Sequence, residues 1–260
     1  MSLLLHKVVS IVAVSKNLVG LDLQGIDLHG KDLEKCDLSK ANLKGANLSG
    51  ANLTGAIMVS ANLSGAILTK ARLAGSNLSS AILVGADLSQ AIYGHTINLE
   101  GANLSMANLA GAEIRATYSG NFNLSRVNLS RANLSGANLA NVTLTNADLT
   151  EADLSGAKIQ STRLTCANLT GANVAGTEID HCSALDWAIV ARVDLSKLIL
   201  SRSYYGPCFG LQTLRVCPIC FRVLVPSNPT WPCLTKSEHG EPSIYWDVTN
   251  SKYHLRVKKC

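Results

Sequence analysis

Aromatic side chains are scarce in this 260-residue chain, at 5% of positions against 47% hydrophobic overall. A core of stacked rings is therefore excluded, and interior packing falls to Leu and Ala. No glycine-rich phosphate loop is present, because the glycines recur at intervals of five instead of clustering. No catalytic constellation stands out either. Ser and Asp occur throughout, so a chance grouping carries no information, and His29, His95 and His181 are far apart. An enzyme is not expected. The apolar run Val8–Val14 is seven residues long, well short of the ~20 that span a bilayer. Its end, Ala13-Val14-Ser15, faintly resembles a signal-peptide cleavage site, but His6 and Lys7 interrupt the apolar stretch and no basic start precedes it. The better reading of residues 1–18 is an N-terminal cap that covers exposed strand edges, with no membrane partner.

What is present is a five-residue unit, Ala-(Asn/Asp)-Leu-x-x, cleanest from Ala41 to Gly55. The central position runs Leu23, Leu28, Leu33, Leu38, Leu43 and on to Tyr93, slips by one residue, and resumes at Leu99, Leu104 and Leu109 as far as Ile179. In extended chain, side chains alternate between faces with period two. The Ala two places before each Leu therefore shares its inward side. The Asn/Asp between them and the Ser/Thr after them face outward, and the fifth residue, often Gly, occupies a bend. Units this short cannot bury a face alone and must stack as a solenoid.

A tandem of about thirty such units resembles the pentapeptide repeat protein family over roughly residues 19–202. The resemblance implies a right-handed quadrilateral β-helix of about eight coils, four repeats to a coil, on the order of 35–40 Å long at the usual strand spacing. Dealing the repeats to four faces in turn would stack Leu33, Leu53, Leu73, Tyr93, Ile114 and Leu134 on the third face. Leu38, Met58, Leu78, Leu99, Ser119 and Leu139 would stack on the fourth.

Residues 19–200 hold 13 Lys/Arg against 15 Asp/Glu, whereas the last sixty residues hold 8 against 3 and eight of the twelve aromatics. A second module therefore spans 203–260. Cys217-Pro-Ile-Cys220 is followed by Cys233 and His239 in a C-x2-C-x12-C-x5-H spacing, which suits a closed tetrahedral zinc site of structural type, zinc-ribbon-like in form. Disulfides or unligated thiols are the alternatives. Cys208, Cys260, Glu238, Glu241 or His254 could also replace a ligand, His239 first of all. Cys36 replaces an inward Ala and reads as a buried, inert thiol. Such cysteine usage suits a reducing, cytoplasmic setting.

Function is expected where the rod breaks its own rule. The one-residue insertion around Tyr93 and His95 and the weak repeats containing Arg115 and Tyr118 fall one coil apart, and form a candidate partner-binding spot. Tyr93 and Phe122 could equally be volume fillers. Outward Ile82 and Val84 make a second, smaller patch. The leading expectation is a non-enzymatic protein-interaction scaffold, monomeric or homodimeric. Two alternatives stand beside it. The basic C-terminal module could bind nucleic acid. The rod could also act as a DNA mimic toward gyrase or topoisomerase, as the resemblance to the family's gyrase-protecting members implies, although those need a strongly acidic rod and this one is nearly neutral.

Overall fold

The computed structural model describes residues 15–94, 96–114, 122–180, 183, 185 and 187–200, together with the strand segments 213–216, 223–224, 243–249 and 252–258. The first group forms a four-faced stack of parallel coils. Leu18 and Leu23 open the interior column and are fully buried, as are Ala41, Leu43, Ala46 and Leu48. Each buried Leu contributes roughly 1.5–3 kcal/mol. The ladder already includes Asn17, which pairs with Asp37. Asn17 lies two residues before the boundary read from the repeat.

Four backbone bonds recur with each repeat and explain why the period is five; one of them runs from the corner amide to the coil above, as from Gly25 N–H to the Lys44 carbonyl (2.9 Å). The central amide donates to the coil above, as Leu23 N–H does to the Asn42 carbonyl (2.7 Å), and Asn42 N–H donates back to Leu21 (2.9 Å). A turn bond, Ile26 N–H to the Leu23 carbonyl (3.2 Å), closes the corner. The third residue of that turn lies at positive φ, from Gly25 (63°) to non-glycine residues such as Lys40 (59°) and Ser60 (56°). That is the conformation which favours Gly there.

The outward Asn/Asp does two jobs. Its Oδ1 accepts the amide two residues on, as Asn47 accepts Ser49 N–H at 3.2 Å, which stabilises the turn. At many positions its amide group, where present, also donates to the coil below. Asn42 donates to Asp22 (2.8 Å), Asn47 to Asp27 (3.0 Å) and Asn52 to Asp32 (2.9 Å).

The third face runs Asp32, Asn52, Arg72, Ile92, Glu113, Asn138, Lys158, Glu178, Ile199. Nine rungs at the usual strand spacing give a rod about 38 Å long. Strand-length pairing occurs where β1 (Phe122–Asn123) meets β2 (Val142–Thr143) and where β3 (Glu178–Ile179) meets β4 (Ile199–Leu200). A short 3-10 turn, Leu195–Lys197, lies just before β4.

The stacking above Ile114 differs from the four-in-turn expectation. Asn98 pairs with Asn123 and Glu113 with Asn138, 25 residues apart instead of 20. Leu124, not Ser119, therefore continues the fourth face, and Leu139, not Leu134, continues the third. The physical reason is the repeat Thr117–Asn121, which carries Ser119 where a Leu belongs. Emptying a buried Leu position costs about 2–5 kcal/mol, so the ladder passes that repeat over. Residues 115–121 themselves lie outside the described residues.

The strands after residue 200 form a separate antiparallel sheet. It comprises β5 (Thr213–Val216), β6 (Val223–Leu224), β7 (Ser243–Thr249) and β8 (Lys252–Lys258), in the order β6-β5-β7-β8. Among the described residues no helix is long and apolar enough to cross a membrane.

Candidate interaction edge

The rod has four corner columns, and three of them keep the five-residue step throughout the described coils. The corner between the third and fourth faces does not. There the step lengthens to six between Tyr93 and Leu99, to ten between Ile114 and Leu124, and to six again between Ile179 and Leu185. Every change of chain length thus falls on one edge.

The interior of this edge is also different. The inward residue that follows it is, from bottom to top, Cys36, Ala56, Ser76, Ile97, Phe122, Val142, Thr162 and Ser183, all at 3% exposure or less. Elsewhere the same position is mostly Ala, the exceptions being Leu21, Ile26, Lys31, Val127, Thr177, Val193 and Leu198. The hydroxyls in this column are satisfied by backbone carbonyls. Ser76 Oγ donates to Leu73, Thr162 Oγ1 to Leu139 and Ser183 Oγ to Ile159, each at 2.7 Å. Burial pushes the Cys36 thiol above its ordinary pKa, in keeping with an inert role.

Two devices hold the irregular steps. Gly94 (φ 67°) approaches so closely that a Cβ there would lie 2.4 Å from the Ala74 Cβ and 2.9 Å from its Cα. Higher up, the corner amide of Ser161 would by the pattern of Asn141, which donates to the Gln160 carbonyl, donate to the carbonyl of residue 180. It donates instead to the Asp180 carboxylate, Oδ1, at 2.7 Å, and Ser161 Oγ reaches Oδ2 at 3.1 Å. Ser183 Oγ donates to Asp180 Oδ1 at 2.8 Å. Asp180 is fully buried. Its side chain supplies the acceptor where the longer step takes the backbone out of the ladder, as a buried amide requires.

The residues proposed from sequence fall in different places. Tyr93 lies inside the rod at 0% exposure, its hydroxyl 3.4 Å from the Leu88 carbonyl, and burial raises its pKa. It cannot face a partner, and with Phe122, also at 0%, it fills volume beside the irregular corner. His95, Arg115 and Tyr118 lie outside the described residues, although the paired residues on either side of them belong to this edge. Ile82, 42% exposed, and half-buried Val84 are on the first face, away from the edge. One coil above them the exposed Met106 extends that patch. Cys217, Cys220, Cys233 and His239 lie outside the described residues. Among the described ones no three His, Cys, Asp or Glu side chains gather as a metal site would need.

The sequence reading missed the third insertion, at Asp180–Ser183, and the non-alanine column inside the edge. The signal was there: reading the inward position one column at a time separates this corner from the other three.

Residues 17–55, 56–92 and 123–160 match the family profile described as pentapeptide repeats, in eight copies. The gap between the second and third stretches contains the first two of the three irregular steps. No curated protein matches the chain. Among solved structures, HetL is a pentapeptide repeat protein involved in heterocyst differentiation regulation from the cyanobacterium Nostoc sp. strain PCC 7120. It is 28% identical over 75% of this chain and 96% of its own, with a TM-score of 0.39. QnrB1, a plasmid-mediated fluoroquinolone resistance protein, is 16% identical over 70% of this chain and 93% of its own, with a TM-score of 0.46. Rfr23 from the cyanobacterium Cyanothece 51142 is 25% identical over 70% and 99%, at 0.26. The rod of this chain is built of pentapeptide repeats.

Proposed function

We propose that the chain is a non-enzymatic protein-docking scaffold in a reducing compartment, the cytoplasm, and that its partner reads the edge between the third and fourth faces. The observation that carries this reading is the confinement of all three length changes to that edge. A repetitive rod offers the same surface at many heights, and an edge with unequal steps gives a partner a unique position along it. Free Cys36 and Cys166 support the reducing compartment. The topoisomerase-directed alternative is less favoured. An outward corner ladder such as Arg131, Glu151 and Arg192, with Arg131 Nε 2.9 Å from Glu151, mixes signs instead of forming an acidic stripe.

The test is photo-crosslinking in the source cells, with a reactive residue at exposed Thr96 on the edge or at exposed Lys70 on another corner. Crosslinks to one protein from Thr96, absent from Lys70 and lost when residues 117–121 are deleted, are expected. Equal crosslinking from both positions, or indifference to the deletion, sinks the reading.

For the C-terminal segment we propose structural zinc held by Cys217, Cys220, Cys233 and His239. The spacing supports it, and so does the pairing of Val216 with Val223, which makes Cys217–Arg222 the connection of a hairpin, as a metal knuckle requires. One zinc per chain by atomic emission, lost in Cys217→Ser, is expected. A metal-free chain purified without chelator overturns the assignment.

A further inference from the structure

The four outward ladders of the rod differ in what each would meet in a second copy of itself. On the third face every rung is joined to the next by a parallel bridge, so the order Asp32, Asn52, Arg72, Ile92, Glu113, Asn138, Lys158 is also a ruler with one mark about every 4.8 Å. Ile92 stands at its middle and is 55% exposed, more than any other isoleucine among the described residues. Arg72 lies one rung below it and Glu113 one above, Asn52 and Asn138 lie two rungs away, and Asp32 and Lys158 three. Opposite charges, and two amides able to exchange hydrogen bonds, thus sit at equal distances on either side of an exposed apolar residue. All four charged side chains are exposed. In the column beside them Thr54, Ala74 and Gly94 occupy successive rungs, which leaves room for a close approach. The same reflection fails on the other faces. About the exposed Ile82, Ile67 and Ile57 it sets no opposite charges together, and on the first face it places Asp22 against Asp148.

We infer that two copies of the chain pair through their third faces, antiparallel, about a two-fold axis that lies in the contact and crosses the rod at Ile92. In such an isologous contact residue i meets j where j meets i. Ile92 then meets Ile92 of the second copy, Arg72 meets Glu113 at two symmetric places, Asn52 meets Asn138, and Asp32 meets Lys158. A parallel pairing is disfavoured, because it brings like charges to the same height. Charge complementarity therefore selects both the occupant of the face and its direction. Seven rungs cover about 29 Å, and with the width of one face that contact falls at the small end of specific interfaces. The pairing is expected to be reversible and to weaken with salt. An axis across the rod leaves left and right unchanged, so the irregular edges of both copies come side by side on one flank. The inference does not rest on the edge reading: a chain that stays monomeric and still crosslinks from Thr96 sinks this one alone.

The experiment is sedimentation velocity on the full chain under reducing conditions, over a range of protein and salt concentrations. A concentration-dependent dimer is expected. Arg72→Glu or Glu113→Arg alone turns two attractive contacts into two repulsive ones and should weaken dimerisation about tenfold or more. Mixed together, those two variants should pair, because each supplies the charge that the other lacks at both contacts. The chain carrying both reversals should self-associate like the parent. Such recovery separates charge pairing from a folding defect. Ile92→Arg should weaken the dimer, whereas Ile82→Arg, an exposed position on the first face, should not. Three results overturn the inference: a monomer at every concentration reached, a dimer indifferent to Ile92→Arg and to both reversals, or single reversals that fail to pair when mixed.

Discussion

Two opposite edges of the same rod solve the same bend differently. The edge between the first and second faces steps by five from Gly25 to Arg192, and four of its lower corners are Gly25, Gly45, Gly65 and Gly85, with open space where a Cβ would go. Its inward neighbours are almost all Ala. The edge between the third and fourth faces has three longer steps, inward Phe, Ile, Val, Thr and Ser, one glycine wedged against Ala74, and one buried carboxylate standing in for a carbonyl. The contrast teaches that the five-residue step is not forced by the interior as a whole. Stacking fixes the spacing along the rod axis, and each corner independently sets how much chain it takes to turn. A corner that admits larger inward residues also admits longer steps.

The sharpest way to break this contrast is to make one change at both edges. Gly94→Ala meets Ala74 at 2.4 Å, so overpacking adds to the left-handed strain and the loss should be about 3 kcal/mol. Gly45→Ala has nothing within 4 Å and should lose only about 1 kcal/mol, the cost of its positive φ. Thermal unfolding of the two variants measures the difference. Equal losses would mean that the crowding at Gly94 is relieved cheaply and that the edge is not held where it stands.

A second comparison sets one carboxylate against the other. Asp180→Ala removes the acceptor for the Ser161 amide and should cost about 1–3 kcal/mol. Glu151→Ala, on the regular edge, breaks an exposed pair with Arg131 and should cost under about 1 kcal/mol. Salt should blunt the second effect and leave the first.

The edges should agree in their response to acid. Asp37 follows the irregular edge and Asp194 the regular one. Hydrogen bonds from Ser39 and Ser196, respectively, hold each carboxyl below its ordinary pKa. A depressed pKa stabilises the fold above the unfolded-state value, and that contribution disappears as pH falls through the folded-state value. Asp37→Asn and Asp194→Asn should therefore each flatten the acid side of the stability curve, slightly and to a similar extent, because both groups are largely solvated. Asp194 also has the exposed Lys197 Nζ at 3.5 Å, so any excess of its effect over that of Asp37 should vanish with added salt.

The inward pair, the outward pair, the bend and the first slip at Tyr93 were all legible in the sequence, because each shifts the phase of a period. The passed-over repeat was not. Its five residues restore the phase they interrupt, so a register read from period alone runs straight through Ser119 and misaligns every face above it. Ser119 itself was the clue, since a hydroxyl in a column of buried Leu is a packing fault that the rod can avoid. The downward bonds from Asn to Asp were equally invisible, because they join residues about twenty apart and depend on which faces stack. Tyr93 misled for the opposite reason. An aromatic beside an insertion has the composition of a binding anchor, and only its place in the inward phase marks it as interior.

That phase-neutral repeat supplies the smallest expected effect. Deleting residues 117–121 joins Ile114-Arg115-Ala116 to Phe122-Asn123-Leu124 and restores a five-residue step at this corner without rotating any face above it. No described hydrogen bond of the ladder is lost, and shortening a connection of this size changes closure entropy by under about 1 kcal/mol. The melting temperature should stay within a few degrees of the parent. Deleting 117–120 instead leaves the step one residue long, like that at Tyr93, which the same edge accommodates with a glycine. Here Arg115 and Ala116 stand where Gly94 would be needed, so this shorter deletion should melt lower than the full one. If instead the five-residue deletion unfolds the rod, the passed-over repeat braces the edge, and its irregularity belongs to stability before recognition.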